Sequence, residues 1–189
     1  MRLTKEFFYN DTKKVAKELL GKLLVRKLKN NIILSGIICE TEAYLGVKDK
    51  ACHTYNNKKT NRTYPMWLEG GHSYIYFIYG KYFCFNIVTE TENHGTAVLI
   101  RSLIPYQGID IMLKNRGINN IKNLTNGPGK ICQALAIDKN LNAVDLTASK
   151  DLWIESYKKT NAKKIIKTKR IGIDYADDWA DKKLRFCFS

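Results

Sequence analysis

The chain has 189 residues, enough for one domain with a real core, and its apolar share of 44% is that of an ordinary globular protein. Lys and Arg number 32 against 18 Asp and Glu, and the net charge of +14 favours a polyanionic partner, nucleic acid before anionic membrane, although a lysine-rich composition with a solvated surface gives the same surplus. No run approaches the ~18 apolar residues that span a bilayer, and five scattered cysteines without a CxxC pair argue against a disulfide framework or a cysteine zinc site.

The N-terminal stretch MRLTKEFFYNDTKKVAKELL breaks every short apolar run with charge and lacks the apolar stretch of a signal peptide, so a soluble intracellular protein is expected. Asn10-Asp11 is a helix N-cap signal. Val15, Ala16, Leu19 and Leu20 then share one helical face, and Gly21 is the stop. KLLVRKL (22–28) reads as a strand, Asn30-Asn31 as a turn, and IILSGIICETEAY (32–44) as a second, longer strand. Residues 45–72 are polar, basic and aperiodic, the mark of a functional or disordered loop. SYIYFIYGKYFCFNIV (73–88) is an aromatic hairpin tipped near Gly80, and TAVLIRSLIP (96–105) is a further strand. GIDIMLKNRG (108–117) and NGPGKICQALAI (126–137) are helices, the second opened by a Gly-Pro-Gly turn. DLWIES (151–156), TKRIGI (168–173) and KLRFCF (183–188) supply short C-terminal strands. Helices interspersed among strands, without regular βαβ alternation, predict a mixed α+β (α/β) fold in a single compact domain over 1–189.

Strand alternation puts Glu40, Glu42 and Tyr44 on one face. A carboxylate at a strand end, before a polar loop, is well placed for general-base work; an ordinary exposed glutamate pair has the same spacing. Glu40, Glu42, Asp49, His53 and His72 can be imagined as metal ligands, but no HExxH-type spacing supports this, and no metal or cofactor is expected. In the hairpin Tyr74, Tyr76 and Ile78 face one way and Ile75, Phe77 and Tyr79 the other. Two buried faces would make both rows core. Tyr79, at the tip beside Gly80-Lys81, is suited to wedge between stacked bases while the lysine meets a phosphate. The Gly-Pro-Gly turn at 127–129 offers backbone N–H groups to a phosphate, and is equally common in plain turns.

The motifs ETEAYLGVKDKACH, YIYFIYGKYFCFNI, AVLIRSLIP, NGPGKICQALAI and RIGIDYADDWADKKLRF, in this order and over nearly the whole chain, resemble the alkyladenine (3-methyladenine) DNA glycosylase family. The resemblance implies a curved antiparallel sheet with a protruding β-hairpin and surrounding helices. It implies a monomer that flips alkylated or deaminated purines (3-methyladenine, 7-methylguanine, hypoxanthine) out of double-stranded DNA. The N-glycosidic bond is then hydrolysed by direct attack of a Glu-activated water, leaving an abasic site without strand cleavage. Glu42 matches the family's catalytic base, and Arg101 an arginine near the catalytic water and sugar phosphate. Tyr44, His53 and Tyr76 match residues around the flipped base, Asn86 the pocket floor, Leu99 a pocket-lining strand, and Tyr79 the wedge that fills the vacated stack. On this likeness Tyr74 and Phe77 are core. The location implied is the cytoplasm and nucleoid of a bacterium or the nucleus of a eukaryote. The stretch TNRT (60–63) departs from the family's commoner Thr-Pro-Arg-Asn, and VTETENHG is longer than in relatives. A non-catalytic nucleic-acid-binding module remains the main alternative reading, and a metal-dependent hydrolase the second.

Overall fold

The computed structural model describes residues 1–157 and 164–189. A helical turn α1 (Lys5–Phe8), which the sequence pattern does not announce, precedes α2 (Thr12–Glu18). Asp11 caps α2 as its position predicts. Its carboxylate accepts the N–H groups of Lys13 and Lys14, two donors that a helix start leaves unpaired. Val15, Ala16 and Leu19 are fully buried and join the main core.

The strands are β1 (Leu23–Lys27), β2 (Ile33–Tyr44), β3 (Ser73–Ile78), β4 (Tyr82–Thr89), β5 (Thr96–Gln107), β6 (Leu152–Glu155), β7 (Ile165–Thr168) and β8 (Arg185–Phe188). They form one antiparallel sheet of order β3-β4-β5-β2-β1-β6, with β8 pairing β2 and β7 pairing β8. Along one edge β2 pairs β5. Along the other it pairs β1 through Ile33–Ile37 and β8 through Glu40–Glu42. The segment carrying Glu42 is therefore central, flanked on both sides. Two register shifts mark the same segment: Ile38 opposes Leu103, Glu40 opposes Ser102 and Thr41 opposes Ile100. Cys39 on β2 and Arg101 on β5 are thus the extra residues of two adjacent bulges, devices that re-aim side chains.

The two faces of the sheet differ. One presents Ala43, Phe85, Ile87, Val98 and Ile100 to a dry core that takes in α2, α3 (Ile109–Arg116) and α4 (Pro128–Ala134). The other carries one cross-strand row: Tyr74 opposes Asn86, Asn86 opposes Leu99, Leu99 opposes Glu42, and Glu42 opposes Arg185. Residues directly opposite in a ladder share a face, so five strands contribute to one line. The β4–β5 ladder stops at Asn86 and Leu99, while β3 and β4 continue to the tip. The hairpin therefore protrudes from the sheet. Together these elements make one mixed α+β domain, as the sequence pattern predicts. Among the described residues no helix is long and apolar enough to cross a membrane, and all five cysteines are free.

Two expectations are corrected. The strand expected over 168–173 is displaced: β7 ends at Thr168, where that strand was to begin. Arg170 turns inward to a buried partner, and Gly172 takes a left-handed φ of 74°, both incompatible with a continuing strand. Phe77 is not core but 49% exposed, because it lies on the part of the hairpin beyond the last β4–β5 pair. The long loop is also more ordered than its aperiodicity suggests. It holds 3-10 turns at Gly46–Lys48, Tyr55–Asn57 and Tyr64–Trp67, and buries Cys52 and Met66 against Tyr74, Val88 and Ala97.

Candidate active site

A cavity of about 390 Å³ opens on the polar face of the sheet, within the size range of small-molecule sites. Its floor is built from alternate residues of four strands: Tyr44 on β2, Tyr74 and Tyr76 on β3, Asn86 on β4, and Leu99 and Arg101 on β5. The long loop adds His53 and Arg62, and the segment after β7 adds Ile171 and Tyr175. Tyr79 stands at the rim, 85% exposed. All the site residues read from the sequence converge here; Glu42 lies just behind the floor, fully buried.

Glu42 is held on every side. Oε2 accepts the Tyr44 hydroxyl at 2.9 Å, and Oε1 accepts the Ile171 backbone N–H at 2.9 Å. Arg101 Nη1 stands 3.4 Å from Oε1. Burial raises the Glu42 pKa above the usual carboxylate range, against the opposing pull of Arg101, the Ile171 N–H and the Tyr44 hydroxyl. Arg101 is shared: its Nε donates to Glu40 Oε1 at 3.1 Å, and Glu40 also takes Arg185 Nη1 at 2.7 Å. The bulge at Arg101 lets one guanidinium face both carboxylates. Tyr44, whose own pKa burial and Glu42 push well above that of a free phenol, remains a proton donor to Glu42.

His53 Nδ1 lies 2.7 Å from the Tyr74 hydroxyl, and its ring meets Tyr76 edge-on at 4.6 Å between centroids. Burial first, then Arg62 and Lys58, push its pKa from 6.5 down to about 4, so it is neutral at physiological pH. Asn86 donates its amide to the Tyr74 carbonyl at 3.1 Å, fixing the side chain across the two hairpin strands. At the tip Tyr79 (φ 53°) and Gly80 (φ 62°) are both left-handed, and the Lys81 N–H closes the turn on the Ile78 carbonyl at 3.2 Å. Positive φ at both central residues is the mark of a type I′ turn. For a bulky residue such as Tyr79 it is a strained choice, of the kind that collects at functional sites.

The Gly-Pro-Gly turn lies on the cavity wall through Pro128 and Gly129. A Cβ on Gly129 would come within 3.0 Å of the Tyr82 Cβ, so glycine there permits close packing of α4 on the hairpin. The residues imagined as a metal cluster are partnered elsewhere. Asp49 forms a bidentate pair with Arg170 (2.6 and 2.8 Å), and His72 bonds the Glu69 carbonyl. Among the described residues no three His, Cys, Asp or Glu gather as a metal site. Sequence reasoning passed over Arg62, Arg170, Ile171 and Arg185 as site residues. The one local signal was a glycine inside RIGI, which breaks a strand and lets Arg170 and Ile171 reach β2.

The model of the methylpurine-DNA glycosylase family matches residues 6–189. The chain is 47% identical over 188 residues to a protein of Natranaerobius thermophilus, covering 98% of this chain and 94% of that one. It is 46% identical over 194 residues to one of Clostridium botulinum, covering 98% and 95%. Both relatives bear the name "Putative 3-methyladenine DNA glycosylase". The chain is thus a DNA glycosylase, a hydrolase of DNA repair. It belongs to the methylpurine-DNA glycosylase family.

Proposed function

We propose that this glycosylase is monofunctional and metal-independent, extruding alkylated or deaminated purines such as 3-methyladenine, 7-methylguanine and hypoxanthine from duplex DNA into the aromatic cavity. The observation that carries the reading is Glu42: a buried, proton-hungry carboxylate beneath a cavity of tyrosines, at the root of a hairpin with an exposed aromatic tip. Glu42 takes a proton from water as the oxygen bonds to the sugar C1′. The C1′–N bond breaks with its electron pair on the purine, and an abasic site remains. Arg101, which stands 3.4 Å from the Glu42 carboxylate, is the group we assign to the catalytic water and the sugar phosphate. Tyr44, His53 and Tyr76 surround the base, with Leu99 beside it.

Tyr79 fills the gap in the stack, and the basic surface neutralises phosphates, so binding weakens with salt. Extrusion costs a few kcal/mol and is least for damaged or poorly paired bases. Asn86, fixed by Tyr74, obstructs the 2-amino group of guanine, so discrimination is partly repulsive; 7-methylguanine meets the same obstruction, offset by its weakened glycosidic bond. The protein acts as a monomer on double-stranded DNA, in the cytoplasm with the nucleoid if bacterial and in the nucleus if eukaryotic.

The test is incubation, in EDTA, with duplexes that each carry one lesion. Released base and abasic sites without strand cleavage are expected. Release that requires a divalent cation would favour a metal hydrolase, and lesion binding without release a non-catalytic module.

A further inference from the structure

Within that reading of the cavity, the charge around Tyr76 is unusual for a pocket that admits alkylated purines. Arg62 is an exposed residue of the long loop, yet its guanidinium carbon lies 5.3 Å from the centroid of the Tyr76 ring. The turn that presents it is firmly tied. Thr63 is 2% exposed, its hydroxyl accepts the Thr60 N–H at 2.9 Å and donates to the Lys58 carbonyl at 3.0 Å, and its own N–H bonds the Thr60 carbonyl at 3.0 Å. Arg62 is therefore aimed by its turn and is not a free surface arginine. Among the described residues that line the cavity none is Asp or Glu, whereas Arg62 and Arg101 both do. Glu42 is fully buried behind the floor, with Arg101 3.4 Å from it.

A cation on the Tyr76 ring draws on the same quadrupole that would attract a cationic base, and it repels that base directly. Hypoxanthine is neutral and meets neither penalty, whereas 7-methylguanine carries a fixed positive charge and meets both. We propose that Arg62 is a specificity-determining residue, which biases the cavity toward neutral purine lesions and against cationic ones by holding positive charge over Tyr76. Cationic lesions are still released, because the same charge weakens their glycosidic bond. The depressed pKa of His53, lowered by burial and then by Arg62, agrees with a positive potential at this wall.

The experiment is single-turnover release of 7-methylguanine and of hypoxanthine from duplexes of one sequence. Wild type is compared with Arg62→Gln, which removes the charge, and Arg62→Lys, which keeps it. The ratio of 7-methylguanine to hypoxanthine release should rise about fivefold in Arg62→Gln and stay within about twofold of wild type in Arg62→Lys. An unchanged or lower ratio in Arg62→Gln would overturn the proposal, as would an equal loss on both lesions, which would make Arg62 a contact to the DNA backbone alone. Failure of wild type to release either base would instead defeat the proposed function, and this inference with it.

Discussion

Two arginine–carboxylate pairs adjoin Tyr44, one fully buried and one opening on the cavity, and they are built differently. Asp49 and Arg170 are closed on each other: two bonds of 2.6 and 2.8 Å join them, the Leu45 and Ala51 N–H groups also donate to the Asp49 carboxylate, and Arg170 holds the Ala43 carbonyl and covers the Tyr44 ring at 4.7 Å, leaving only its Nε without a partner. Glu42 and Arg101 are left open. They stand 3.4 Å apart, the guanidinium is shared with Glu40, and Arg101 reaches the cavity. The closed pair fastens the segment after β7 to the long loop, so that Ile171 reaches Glu42. The open pair leaves a carboxylate whose proton affinity burial raises and Arg101 only partly pulls back down.

Breaking the closed pair should have the largest effect. Arg170→Met leaves Asp49 buried and uncompensated, which costs about 3–5 kcal/mol; denaturant unfolding measures it, and a loss near zero would deny the clamp. Arg101→Lys keeps the charge but not the fork that spans Glu40 and Glu42. Its stability should fall by only about 1 kcal/mol, while excision falls more than lesion binding. A stability loss matching that of Arg170→Met would erase the distinction between the pairs.

The smallest effect concerns pH. Glu42 has a folded pKa raised above 4.5, so its contribution to stability is fully present below the ordinary carboxylate value and is lost as pH rises through the folded one. Glu42→Gln removes that cost. The variant should be as stable as wild type in acid and more stable at neutral pH, as followed by melting temperature against pH. A neutral-pH loss of stability would mean that Glu42 is held as a structural ion, like Asp49.

The open pair was largely legible in the sequence, and the closed pair was not. Period-two alternation in CETEAY puts Glu42 and Tyr44 on one face, and the fully buried Glu42 bonded to Tyr44 agrees with it. The same rule ordered Tyr74 and Tyr76, while the Tyr-Gly-Lys step located the tip. Arg170 meets Asp49 across 121 positions, and Ile171 meets Glu42 across 129, distances at which periodicity carries no information. RIGI reads as a strand because its apolar residues alternate; what overrides that pattern is the demand of a buried aspartate for a cation. The bulge that re-aims Arg101 is a register shift inside the β2–β5 ladder, and the exposure of Phe77 follows from where the β4–β5 ladder stops; both are properties of strand pairing that no single stretch contains.

Glu42 is the proposed base, and the direct measurement of that role is single-turnover excision by Glu42→Gln on a lesion duplex, with binding to the same duplex measured in parallel. Glutamine keeps the size, its Oε1 can still accept the Ile171 N–H while its amide donates to the Tyr44 oxygen, and it cannot take a proton from water. Excision should fall by about 10²-fold or more while lesion binding is retained. Excision at the wild-type rate by a folded Glu42→Gln protein would contradict the account and move the catalytic role to another residue.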